Sequence, residues 1–183
     1  GSERARGLGG KSLTWNAVAW RQSHRDFKGR SIEGAGEDWP IDYDDLAPFY
    51  ERIEREVGVC GNYDRLPDLP DGVFLPPVPY KCSDKLIDKG ARKLGLKTIH
   101  VRKATLSRPN FGRPACHFCG NCMAGCDVVA KYNSADVHLR PALKTGKLTI
   151  FHNSIVRAVN VSNENRVTGV TYLNRETKAE GEV

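Results

Sequence analysis

Apolar positions recur at two periods along this chain, and the change of period divides it. From Asp44 to Val57, Leu46, Phe49, Tyr50 and Ile53 repeat at helical spacing. They predict an amphipathic helix capped by Asp44 or Asp45 and closed by Gly58 or Gly61. Ser83 is placed to cap a second helix ending at Gly90 or Gly95. Ser134 is placed to cap a third, "ADVHLRPALK", with Pro141 to kink it and Gly146 at its end. "LKTIHVRKA" alternates like a strand. Past Lys147 the period shortens to two through "KLTIFHN", "IVRAVNV", "RVTGVTYLN" and "GEV", with a turn at "SNEN".

The remaining stretches carry no period. Gly7, Gly9 and Gly10 form a glycine turn ahead of the apolar "SLTWNAVAW". Residues 21–43 read as loop. Residues 62–82 hold five of the ten prolines and read as an extended connection. Residues 107–133 form a long loop around clustered cysteines, and such loops inside compact domains are usually functional. The expected fold class is α+β, with helices and long loops followed by a C-terminal antiparallel β segment. Three stretches organise it: residues 1–30, residues 31–146 with the cysteine loop 107–133, and residues 147–183.

Composition narrows the class of protein. The chain has 183 residues, 39% hydrophobic and 27% charged, which suits a globular domain with its own core. No apolar run reaches the roughly 18–20 residues of a membrane span. The net charge of +6 is scattered along the chain, which argues for a solvated surface and against a nucleic-acid face. "GSERARGLGG" has no apolar core of a signal peptide, and cytoplasmic and periplasmic locations both stay open.

Two motifs carry chemistry. Ala5-x4-Gly10-Lys11-Ser12 satisfies a relaxed triphosphate-loop pattern. Such a loop needs a buried strand before it and a helix after it, and only four residues precede Ala5. Paired glycines also allow close backbone approach to another ligand, or simply a tight turn. The second motif, "CHFCGNCMAGC", spaces Cys116, Cys119, Cys122 and Cys126 as C-x2-C-x2-C-x3-C, the run that holds iron–sulfur clusters in bacterial ferredoxins. Here Asp127, not Pro, follows the fourth cysteine, and no second run exists. Zinc or disulfides remain alternatives, although His117 is too close in sequence to serve readily beside Cys116. Cys60 and Cys82 read as isolated thiols, and His24, His100, His138 and His152 as packing or surface residues.

These motifs, in this order, resemble the glucose–methanol–choline oxidoreductases, in the branch of the gluconate 2-dehydrogenase flavoprotein and pyranose oxidase. The resemblance is carried by "RARGLGGKSLTWNAVAWR", "DFKGRSIEGAGEDWPIDYDDLAPFYERIEREVGVCG", "LPDGVFLPPVPY", "RPACHFCGNCMAGC", "LKTGKLTIFHNSIVRAV" and "RVTGVTYLNRETK". It implies an FAD-dependent enzyme that oxidises CH–OH groups of sugars, sugar acids or other alcohols. It sets Gly9 and Gly10 against the flavin side of FAD, Ser12 and Trp15 beside it, and Val156 at the adenine end. Thr14 stands where some relatives carry a flavin-linking histidine, so non-covalent FAD is expected. Some relatives hold an iron–sulfur cluster in a cysteine loop and pass electrons to an acceptor subunit or cytochrome, which makes the four cysteines candidate ligands here. No GxGxxG turn and no C-terminal catalytic histidine are present, so no catalytic residue is assigned. The chain is expected to be an internal fragment of a protein about two to three times longer.

Overall fold

The computed structural model describes residues 5–183, so the first four residues of the expected 1–30 segment lie outside it. The chain divides into two compact units, residues 1–141 and 142–183.

Within the first unit, the 21–43 stretch is not all loop. It holds two short helices, α1 (His24–Phe27) and α2 (Gly29–Glu33). The Asp26 carboxylate accepts from the Ser23 N–H at 2.6 Å and its hydroxyl at 2.9 Å, which starts α1, and Gly34, with φ 79°, stops α2. Single turns are too short to show a period.

Helix α3 (Tyr43–Val57) is capped by Asp42, two residues before the nearer of the expected caps, Asp44 and Asp45. Asp42 accepts from the Tyr43 N–H at 2.6 Å, and its own N–H donates to Asp45 at 2.8 Å. The face it buries also differs from the expected stripe. Phe49 and Ile53 stay exposed, while Glu54 and Val57 are buried. Glu54 turns inward because Arg21 meets it there, donating from Nε at 2.8 Å and Nη2 at 2.6 Å. Helix α4 (Cys82–Lys93) starts after Lys81, whose N–H donates to Asp84 at 2.9 Å, and Ser83 lies inside its first turn rather than capping it.

"LKTIHVRKA" forms no regular strand. Its C-terminal end is shared among three neighbours instead. Ala104 N–H donates to the Ala17 carbonyl, Lys103 exchanges hydrogen bonds with Cys60, and Tyr132 N–H donates to the Ala104 carbonyl. A backbone divided among single bridges satisfies its polar groups without a continuous ladder. Ala17, Val57, Val59 and Ala104 make the core at this junction, with Trp15, Ala19, Phe74 and Tyr132 packed around it. The proline-rich connection is extended, as expected. Buried Arg102 holds it by donating to the Leu69 and Pro70 carbonyls and to Asp71.

The third helix starts as a π-helical turn (Ala135–Leu139) and continues as α5 (Arg140–Lys144). Asn133, not Ser134, caps it, accepting from the Asp136 N–H at 2.8 Å. Pro141 falls where the π-helical turn gives way to α5, and with no N–H it makes no hydrogen bond back to that turn.

The second unit is a three-stranded antiparallel sheet in the order β1 (Ser154–Val161), β2 (Val167–Asn174), β3 (Glu180–Glu182). Val156 pairs with Tyr172 across β1 and β2. "KLTIFHN" was expected as a strand but finds no ladder partner among the described residues, although Phe151 packs on Tyr172 with ring centroids 5.4 Å apart. No helix among the described residues is long and apolar enough to cross a membrane.

Candidate functional site

The glycine turn and the cysteine loop meet in the first unit. Gly9 and Gly10 adopt φ of 98° and 50°, and the chain then makes one 3-10 turn, Gly10–Leu13, in place of the helix a triphosphate loop requires. The two glycines play different parts. A Cβ on Gly9 would lie 3.0 Å from the Ala135 Cβ, so Gly9 lets the turn pack on the π-helical segment. Among the described residues a Cβ on Gly10 would meet nothing within 4 Å, so the Gly10 backbone is open to approach.

The other expected flavin-side residues follow. The Ser12 hydroxyl donates to the Gly9 carbonyl at 2.5 Å and accepts from the Ser134 N–H at 3.0 Å, so its donor is spent inside the fold. Thr14 closes the turn, its N–H donating to the Lys11 carbonyl at 3.1 Å. Trp15 is half-buried. Its indole N–H donates to the Tyr132 carbonyl at 2.9 Å, and its ring meets Tyr132 edge-on at 6.1 Å. Trp15 and Tyr132 also line a mostly apolar cavity of about 210 Å³ that reaches the Arg21–Glu54 pair. Val156 lies in the second unit, half-exposed in β1.

The cysteine loop is pinned at its base. Cys116 N–H donates to the Leu106 carbonyl at 2.8 Å, Leu106 N–H to the Ala130 carbonyl at 3.0 Å, and Arg113 Nη2 to the Val57 carbonyl at 2.5 Å. Between these anchors the backbone curls through left-handed positions at Phe118, Gly120, Gly125 and Val129. All six cysteines are free thiols.

Cys116, Cys119, Cys122 and Cys126 all line one cavity of about 130 Å³. Lys81, Lys103 and Lys131 line it with them. Two backbone N–H groups point at sulfur: Phe118 to Cys116 Sγ and Lys131 to Cys126 Sγ, each at 3.4 Å. Thr105, on the same wall, has a buried hydroxyl with no hydrogen-bond partner among the described residues. Thiols, cations, N–H donors to sulfur and an orphaned hydroxyl around one small cavity suit an anionic, thiolate-ligated group.

His117 does not group with Cys116. Its Nε2 lies 3.1 Å from Asp127 Oδ1, and with Cys119 these residues bring one ligand atom each within 4.8 Å of the others. The His117 hydrogen bond holds the Asp127 carboxyl below its ordinary pKa.

Lys131 joins the two halves of the site. Nothing in the sequence singles it out, because a single lysine in a loop carries no pattern. The residue is 1% exposed, and its ammonium donates to the carbonyls of Leu13 at 2.9 Å, Trp15 at 3.2 Å and Cys122 at 2.5 Å. Burial pushes its pKa down, while the Cys122 and Cys126 thiols push it back up.

The chain is 34% identical over 188 residues to the fructose dehydrogenase large subunit of Gluconobacter japonicus, covering 95% of this chain and 32% of that protein. It is 27% identical to the gluconate 2-dehydrogenase flavoprotein of Pantoea cypripedii, covering 91% of this chain and 33% of that protein. It is 26% identical to the paromamine 6'-oxidase of Streptomyces fradiae, covering 92% and 31%. The chain thus spans about a third of the length of these relatives. The family model described as GMC oxidoreductase matches residues 2–182, nearly the whole sequence, and the chain belongs to the GMC oxidoreductase family.

Proposed function

We propose that this chain is part of an FAD-dependent oxidoreductase acting on CH–OH groups of sugars, sugar acids or other alcohols, with an iron–sulfur cluster in the cysteine loop. The family binds FAD, and the similar proteins are named for fructose, gluconate and paromamine. The observation that carries the reading is the junction at Lys131, where the Gly9–Trp15 segment and the four-cysteine cavity share one buried side chain.

The residues fit both groups. The open backbone at Gly10 gives an FAD edge room to approach, and the Trp15 ring is held by Tyr132 as a fixed apolar wall. With no histidine at Thr14, the FAD stays non-covalent. Bound FAD would supply a two-electron acceptor for the hydride of the substrate C–H bond. Cys116, Cys119, Cys122 and Cys126 supply three or four thiolate ligands, and the N–H groups of Phe118 and Lys131 hold two of the sulfurs. A cluster held there would supply one-electron transfer to an acceptor subunit or cytochrome.

Anaerobic flavin, iron and sulfide analysis of the full-length protein tests this. Flavin released on denaturation, with iron and acid-labile sulfide in cluster stoichiometry, is the expected result. Absence of flavin ends the oxidoreductase assignment, and iron-free protein ends the relay alone. One observation favours a second reading: His117, Cys119 and Asp127 form a ligand set for a single divalent ion such as zinc, as in a stand-alone metal-binding module. That reading predicts one zinc per chain and no flavin.

A further inference from the structure

Lys131 is a buried cation without a carboxylate partner. Among the described residues no ion pair joins it to Asp or Glu, and the acidic groups that act on it are the Cys122 and Cys126 thiols. Its three protons meet three carbonyls, Leu13, Trp15 and Cys122, so the ammonium is fixed in direction as well as in place. A buried charge is costly unless something of opposite sign stands near it. Carbonyl dipoles soften that cost but leave the full positive charge beside the cysteine cavity, whose lining includes Lys131 itself.

We propose that Lys131 is a positioning residue for electron transfer: its ammonium locks the cysteine loop to the Trp15 segment and raises the reduction potential of the cluster held there. The inference rests on the reading above that the loop holds an iron–sulfur cluster. Such a cluster with thiolate ligands is anionic. Its reduction adds one electron, taken from reduced FAD and passed on to the external acceptor, with no bond made or broken and no proton required. A fixed positive charge in a dry setting favours the electron-richer state, and charge near the sulfurs is one of the levers on cluster potential. Lys81 lines the same cavity but is exposed, so water screens it. Lys131 alone of the three lysines is both fully buried and bonded to a cysteine residue's backbone and to Trp15.

The test is an anaerobic redox titration of the full-length enzyme, followed by the EPR signal of the cluster and the absorbance of the flavin. Lys131→Met removes the charge, and Lys131→Gln removes it while keeping an amide donor for the carbonyls. Lys131→Arg keeps the charge, and Lys81→Met is the exposed control. The expected result is a cluster midpoint shifted to lower potential in both neutral variants, a value near wild type in Lys131→Arg, and a smaller shift in Lys81→Met. Neutral variants that lose the cluster while Lys131→Arg keeps it at the wild-type potential also support a role for the charge. Equal midpoints in wild type and the neutral variants overturn the proposal, as does loss of the cluster in Lys131→Arg together with the neutral pair. A wild-type protein with flavin but no cluster signal removes the cluster reading itself and is distinguishable from either result.

Discussion

Arg21 and Glu54 form a two-pronged ion pair inside the first unit, with their side chains 4% and 7% exposed. Burial alone would lower the Arg21 pKa, but the hydrogen bonds of Glu54 and Tyr43 outweigh it and hold the guanidinium charged. The Glu54 carboxylate also accepts from the Val73 N–H at 2.7 Å, and a Cβ on Gly72 would run into it. One carboxylate therefore ties the segment before α1, helix α3 and the proline-rich connection together. Removing one partner of a buried pair typically costs about 3–5 kcal/mol, because the other charge is left uncompensated. Glu54→Ala is expected to lose stability in that range, measured by urea unfolding. Glu54→Gln, which keeps one acceptor oxygen for Val73, is expected to lose less. Equal stability of wild type and Glu54→Ala would show that the pair holds nothing together.

The paired glycines make a sharper comparison. Both sit at positive φ, where a residue with a Cβ is disfavoured by about 1–2 kcal/mol. Gly9 meets a second obstacle, since its Cβ would press on Ala135 at 3.0 Å, whereas Gly10 meets none. Gly9→Ala is expected to lower the melting temperature more than Gly10→Ala. Gly10→Ala, in turn, is expected to weaken FAD retention in the full-length enzyme with little loss of fold. The reverse order in either measurement contradicts the division of roles between the two residues.

Much of this was legible in the sequence, and the failures share a cause. Helix α3 was readable because fifteen residues give a period room to repeat, and the β1–β2 pairing because two alternating runs flank a short polar turn. The grouping of four cysteines around one cavity followed from their spacing. Alternation misled at "LKTIHVRKA" and "KLTIFHN", since a strand needs a neighbour and pattern does not say whether one exists. Glu54 was missed as a buried position because carboxylates are seldom buried unless paired, and its partner Arg21 lies 33 residues away. Lys131 was missed for the same reason: the carbonyls of Leu13 and Trp15 lie 118 and 116 residues away in sequence.

Acid is expected to act on the start of α3. The Asp42 carboxyl lies below its ordinary value of 3.8, chiefly because the Tyr43 N–H donates to its charged form and secondarily through His24 at 2.6 Å. A depressed carboxyl contributes stability that is fully present above pH 3.8 and is lost as pH falls through its lower folded-state value. Asn caps helices about as well as Asp and does not titrate in this range. An acid titration followed by circular dichroism is therefore expected to show helix loss below about pH 4 in wild type, with a flatter limb in Asp42→Asn. Superimposable acid limbs would place the sensitive group elsewhere.

The two isolated cysteines are expected to separate by reactivity. Cys60 is fully buried at the junction of the 17–19, 60 and 102–106 segments, its N–H donating to the Lys103 carbonyl at 2.8 Å. Burial pushes its thiol pKa up, and the thiolate is the reactive form. Cys82 opens α4 and is exposed. A maleimide pulse on the native protein at neutral pH, read by peptide mass spectrometry, is expected to label Cys82 within the pulse and leave Cys60 unlabelled. Cys60 should react only after denaturant is added. Substitution follows the same logic: Cys60→Ser puts a hydroxyl where a small hydrophobe packs and is expected to cost about 1–3 kcal/mol, while Cys82→Ser is close to neutral. Rapid native labelling of Cys60 would mean that the junction opens on the time scale of the pulse, and the core built on Ala17, Val59 and Ala104 could not then be rigid.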